Sequence, residues 1–138
     1  MSRDSPRARG IKGAGFRIGI VAARFNQTLV DGLLSRVQAR LRAAGVKAAN
    51  LEVVRVPGSH EVPWAAQALG LTAHFHCVIA LGVLIAGDTD HHEMVGRSVS
   101  FALQQVALET RVPVINGVIV VNSPAQARTY DAAPQAQA

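Results

Sequence analysis

The chain has 138 residues, of which 49% are hydrophobic and 17% charged. That length suits one domain, and the composition excludes a disordered chain, a disulfide-stapled miniprotein and a coiled coil. No apolar run approaches the roughly 18 residues needed to cross a bilayer, so the chain reads as a compact soluble protein with no membrane partner.

The formal net charge of +5 is concentrated at one end. Up to residue 24, Arg3, Arg7, Arg9, Lys12, Arg17 and Arg24 face only Asp4, while from residue 25 onward acids and bases balance. Residues 1–15 therefore read as a basic N-terminal arm, 16–130 as a single α/β domain and 131–138 as an irregular tail. No aromatic residue interleaves the bases of the arm to stack on nucleotides, which argues against a nucleic-acid partner. Arg17 interrupts the nearest candidate for a secretory signal core. Cys77, the single cysteine, lies in an apolar run and reads as a buried small hydrophobe in a reducing compartment. The expected location is the cytoplasm.

In chain order, Arg17 to Ala23 (RIGIVAA) predicts a first strand. Leu29, Leu33, Leu34, Val37 and Leu41 then recur at helical spacing, and Gly45 supplies a stop. Leu51 to Val56 predicts a second strand closed by Pro57 and Gly58. Glu61 to Leu71 predicts a helix, with Pro63 tolerated in its first turn. Cys77 to Ile85 is apolar nearly throughout, as in a strand of a parallel sheet buried on both faces. His91 to Thr110 predicts a helix, Val112 to Val121 a fourth strand, and Ser123 caps a short last helix. Four strands joined by helices make a mainly parallel α/β sheet.

In such a sheet the ligand site lies beyond the carboxyl ends of the strands. That rule selects the loops at Arg24–Asn26, Pro57–Glu61, Gly87–His91 and Asn122–Ser123. Gly87, Asp88 and Thr89 lead into a helix start, where free N–H groups and the dipole favour an anion; capping by Asp88, Thr89 or Asp90 is the simpler reading. His91 shares a helical stripe with Val95, Val99, Ala102 and Val106, which places it at the edge of the core, where it can move protons or serve as a hydrogen-bonded structural residue. Asp88, Asp90, His91, His92 and Glu93 also offer metal ligands. Adjacent histidines point about 100° apart on a helix, so metal ranks last and none is expected. Glu61 accepts hydrogen bonds or complements a helix dipole. Phe25 stacks on a flat heterocycle or is ordinary packing.

Four segments carry a resemblance. Arg24–Asn26, Pro57–Pro63 (PGSHEVP), Gly82–Val95 (GVLIAGDTDHHEMV) and Val112–Ile119 (VPVINGVI) are similar, in order and spacing, to the lumazine synthase family. The resemblance spans roughly residues 10–127. It implies a flavodoxin-like three-layer fold, assembly into pentamers or multiples of them, and active sites at subunit interfaces. It also implies a cofactor-free condensation of 5-amino-6-(D-ribitylamino)pyrimidine-2,4-dione with 3,4-dihydroxy-2-butanone 4-phosphate. By matching position, Phe25 stacks on the pyrimidine and Asn26 shapes its pocket. Ser59, His60 and Glu61 hold the ribityl chain, and backbone groups of Val83, Leu84 and Ile85 read the ring edge. Gly87, Asp88 and Thr89 receive the phosphate, His91 relays protons, and Ile115 and Asn116 come from a neighbouring subunit.

The sequence also departs from the family pattern. His60 stands where the family has an aromatic residue, and Ala86 where it has a base. Tyr130 stands where the family has a phosphate-binding arginine, with Arg128 two residues earlier as the substitute. The family's long final helix has no counterpart within the 138 residues, which leads to an expectation of either a shortened member or a chain lacking part of that C-terminus. Two alternatives accompany the enzyme reading: a noncatalytic relative that assembles or binds a flavin-like ring, and a flavodoxin-type mononucleotide carrier. The carrier is disfavoured because Arg24–Asn26 replaces a Ser/Thr/Gly-rich phosphate loop.

Overall fold

The computed structural model describes Pro6 and residues 10–131. Strands β1 (Ile18–Ala23), β2 (Leu51–Val56), β3 (Cys77–Ile85) and β4 (Val114–Val121) alternate with helices α1 (Gln27–Ala43), α2 (Val62–Leu71), α3 (His91–Thr110) and α4 (Pro124–Asp131). The sheet order is β2-β1-β3-β4, and every pairing is parallel. The α/β expectation holds, with a wholly parallel sheet where a mainly parallel one was expected. Most of the expected arm (1–5 and 7–9), and the tail from residue 132 onward, lie outside the described residues.

Strand alternation divides the core into two layers. Val21 and Ala23 of β1 join Val78 and Ala80 of β3 under Val62, Ala65 and Ala66 of α2 and Val99, Leu103 and Val106 of α3. Ile18, Ile20 and Ala22 face the other way, against Val30 of α1 and Ala127 of α4. All six residues of β1 are buried, as expected for an inner strand covered on both faces. The result is a three-layer sandwich.

Boundaries differ from the sequence reading where a tertiary partner decides. β1 begins at Ile18 because Arg17 is clamped to the segment before β3: its N–H donates to His76 Nδ1 at 2.9 Å and its carbonyl accepts the His76 N–H. β4 begins at Val114, two residues later than expected. Pro113 has no N–H to give a ladder, though its carbonyl still accepts the Val78 N–H. Residues Ser59–Glu61 form a 3-10 turn, and α2 starts only at Val62. Gly45, at φ 96°, ends the first helical segment as expected. Ser123 Oγ accepts the Gln126 N–H at 3.2 Å and caps α4. At Gly117 a Cβ would stand 2.7 Å from the Ala80 carbonyl oxygen, so only glycine lets β4 lie this close to β3.

Candidate active site

A cavity of about 590 Å³ opens beyond the carboxyl ends of β1, β2 and β3. Phe25 and Asn26 line it after β1, Ser59, His60 and Glu61 after β2, and Val83, Leu84 and Ile85 along β3. Gly87, Thr89 and His91 complete the expected set, and Pro57, Gly58, His92 and Val95 join them. Asp88 adjoins the cavity without lining it. Ile115, Asn116 and Arg128 are not part of it. Ile115 and Asn116 pair with Ile79 and Ala80, four and three residues before Val83 and so about 10–13 Å down the sheet. Both are exposed on the edge strand β4, and Arg128 is exposed on α4.

The wall nearest the sheet follows from unequal strand lengths. β1 pairs with β3 only as far as Ala22 opposite Leu81, whereas β3 runs on to Ile85 beside β4. The last residues of β3 therefore lose their β1 partner. Asn26 fills part of the gap, its Nδ2 donating to the Val83 carbonyl at 2.8 Å. Backbone groups alternate in direction along a strand. With the Val83 carbonyl toward β1, Ile85 also faces that side, while Leu84 faces β4. Consistently, the Ala86 N–H donates to the Val121 carbonyl of β4. The expectation that Val83, Leu84 and Ile85 all offer backbone groups to a ring thus narrows to Ile85, since Val83 is buried with its carbonyl taken by Asn26.

The loop bearing Phe25 is held from several directions. The Arg24 and Phe25 N–H groups donate to the Val56 and Pro57 carbonyls. Arg55 reaches under the loop, pairing with Asp31 at 2.7 Å and donating to the Ala23 carbonyl at 3.2 Å. Asn26 itself adopts a left-handed conformation, φ 58°, which asparagine tolerates better than other non-glycine residues. These restraints hold up Phe25, which is 74% exposed and available for stacking.

After β2, Ser59 is buried against Gly82, where a Cβ would stand 2.5 Å from Ser59 Oγ. Glu61 turns one carboxylate oxygen back to accept the Gly58 N–H at 3.0 Å, which leaves the other for the cavity. At the start of α3 neither aspartate behaves as the capping reading expects. Asp90 holds the cap position, but its side chain makes no capping hydrogen bond, and the Thr89 hydroxyl meets the His91 N–H at 3.4 Å. Of the three capping candidates only Thr89 meets a helix N–H, and although Glu93 lies in the first turn, no carboxylate caps the helix start, which keeps N–H groups for an anion.

The stripe assigned to His91 requires correction. His91 is exposed, and the buried residues of α3 are Val99, Leu103 and Val106. At 100° per residue these lie within about 40° of His92, whereas His91 stands about 100° away. His92, considered from sequence only as a poor metal partner, is the histidine on the core-facing stripe. The spacing 92, 95, 99, 103, 106 was the signal that could have found it. Among the described residues, no cluster of three or more His, Cys, Asp or Glu side chains could hold a metal ion. Burial raises the Cys77 thiol above its ordinary pKa.

A doubly covered parallel sheet, with a cavity where its strands end unevenly, defines an α/β protein that binds a small molecule at its carboxyl edge. A family model described as 6,7-dimethyl-8-ribityllumazine synthase matches residues 15–136, and the chain belongs to that family. It is similar to the protein of that name from Coxiella burnetii (strain CbuG_Q212), with 42% identity across 81% of this chain and 74% of the relative. The namesake from Azoarcus sp. (strain BH72) is 37% identical across 85% and 75%. That of Pyricularia oryzae is 36% identical across 93% and 82%.

Proposed function

We propose that the protein is a 6,7-dimethyl-8-ribityllumazine synthase of riboflavin biosynthesis, a transferase that joins the ribitylaminopyrimidinedione to the butanone phosphate with loss of phosphate and water. The observation that carries this reading is the gathering of Phe25, Asn26, Ser59, His60, Glu61, Thr89 and His91 around one cavity in a member of this family. Phe25 offers its exposed face to the pyrimidine, and the backbone groups of Ile85 meet the ring's edge. Ser59, His60 and Glu61 take the ribityl chain. The α3 start, with Gly87, Asp88 and Thr89, receives the phosphate, which puts His91 beside the bonds that change. There His91 serves imine formation and phosphate elimination as a proton shuttle. Both substrates are already reactive, so holding them together supplies much of the rate, and the reaction as proposed draws on no cofactor or metal.

Assembly belongs to the same proposal. Trp64 and Leu71 of α2 and Met94, Phe101 and Leu108 of α3 are exposed, Trp64 at 76% and Phe101 at 80%. Ile115 and Val120 are exposed on β4, the edge strand. An apolar face and an unpaired strand edge of this kind suit contact with further copies of the chain. A homopentamer, or a multiple of one, places Ile115, Asn116 and Arg128 at a neighbour's cavity and makes the active site an interface site. No described helix is long and apolar enough to cross a membrane, and the half-buried free thiol of Cys77 suits the cytoplasm. Fluorescence of the lumazine, formed above the spontaneous rate when both substrates are mixed with the protein, tests the activity. A folded protein that forms no product overturns it. Sedimentation gives the assembly state.

A further inference from the structure

His92 is the cavity residue whose polar atoms have no assigned work. It lies on the core-facing stripe of α3 and lines the cavity together with Ser59, His60 and Glu61, the turn against which α3 packs. Its Nδ1 is shut off from solvent and, among the described residues, has no hydrogen-bond partner. Nε2 is not shut off in this way. A neutral imidazole carries one proton, on one nitrogen or the other. A proton on Nδ1 would be a buried donor with no acceptor, the rarer and costlier kind of orphan. The proton therefore belongs on Nε2, the nitrogen of this cavity-lining ring that is not shut off.

We infer that His92 is a specificity residue for the polyol chain, donating from Nε2–H to a ribityl hydroxyl, while the free carboxylate oxygen of Glu61 accepts from a hydroxyl. The inference rests on the proposed function. A hydroxyl both donates and accepts, so a polyol is held in register by one donor and one acceptor. The acceptor was legible at Glu61, and His92 supplies the donor. A chain bearing apolar carbons in place of hydroxyls leaves His92 nothing to bind.

The test compares two fluorescent ligands, 6,7-dimethyl-8-ribityllumazine and the same ring with methyl in place of the ribityl chain. Their binding is titrated against wild type, His92→Phe and His92→Gln. His92→Phe keeps the ring's bulk and removes the donor, whereas glutamine's terminal amide reaches about as far as Nε2. The expected result is that His92→Phe weakens the ribityl compound by roughly three- to tenfold, leaves the methyl compound unchanged, and is rescued by His92→Gln. Equal losses on both ligands, or none, overturn the inference, as does nitrogen-15 spectroscopy that finds the proton on Nδ1. Wild-type protein that binds neither ligand instead defeats the proposed function on which the inference stands.

Discussion

Asn26→Asp is the most direct probe of how the cavity is built. The substitution preserves shape and tolerance of φ 58°, but replaces the Nδ2 donor with an oxygen facing the Val83 carbonyl, now 2.8 Å from Nδ2. Val83 is 1% exposed, so its carbonyl has little recourse to water. Losing the bond and leaving a buried acceptor unpaired costs about 2–3 kcal/mol. Unfolding entropy scales with length, and for 138 residues each kcal/mol moves Tm by about 3.5 °C. The expected fall at pH 7 is thus about 8 °C, read by calorimetry at matched protein concentration. Asn26→Gly leaves the same acceptor unpaired without the repulsion, and glycine's ease at φ 58° offsets part of the loss, so its cost should be the smaller of the two. The sign with pH is also fixed. The protonated carboxyl donates to the carbonyl while the ionised form repels it, so the introduced group's folded-state pKa is raised. The stability this contributes is present below the ordinary aspartic value of about 3.9 and lost as pH rises through the raised one. The gap to wild type should therefore narrow near pH 4. A Tm within about 1 °C of wild type at both pH values would refute the bond and the account of the β3 edge that depends on it.

Phe25→Ala should leave Tm nearly unchanged, because the residue is 74% exposed. It should raise KM for the pyrimidinedione by roughly tenfold, the value of one stacked ring; an unchanged KM removes the stacking role. His91→Ala should lower kcat by roughly a hundredfold with little change in Tm, since the side chain is exposed, and steady-state rates at saturating substrates decide it. Arg128→Ala should raise KM for the butanone phosphate by roughly tenfold or more and spare that for the pyrimidinedione. Equal KM values would show that Arg128 does not serve the phosphate. Burial raises the Cys77 thiol pKa, so at pH 8 alkylation should be much slower in the native protein than in denaturant. Equal rates would mean that the thiol is not protected.

Much of the fold was legible in the sequence because hydrophobic period and strand chemistry agreed. The bounds of β2, β3 and α3 coincide with their predicted spans. The misses have local causes that lie elsewhere in the chain. Arg17 looks like strand until His76 claims its N–H, and Glu61 looks like helix until it caps its own 3-10 turn at Gly58. Within the site, the meeting of three loops at one sheet edge followed from topology alone. Which of two adjacent histidines turns inward did not, because that depends on the phase of the α3 stripe. Choosing Val95, Val99 and Ala102 as partners for His91 set that phase too far around the helix. Leu103, buried at 2% exposure, is the residue that would have corrected it.

Unequal strand lengths also bear on how the family pattern tolerates this chain's departures. β3 has nine residues and β1 six, so the overhang at Val83–Ile85 is made by main chain. A planar ring with alternating donors and acceptors along its edge suits such backbone groups, and their recognition does not change when side chains around them do. His60 and Ala86, which break the expected pattern, adjoin that edge without composing it. The phosphate end is different in kind. There the main-chain contribution is the α3 start, and charge must come from side chains, with Arg128 displaced to α4 and outside this cavity. Substitution in this chain should therefore fall unevenly on the two substrates, sparing affinity for the pyrimidinedione and weakening that for the butanone phosphate. The ratio of their two KM values, set beside that of a relative with the arginine in place, measures that asymmetry directly; equal ratios would mean that the neighbouring subunit restores the missing charge.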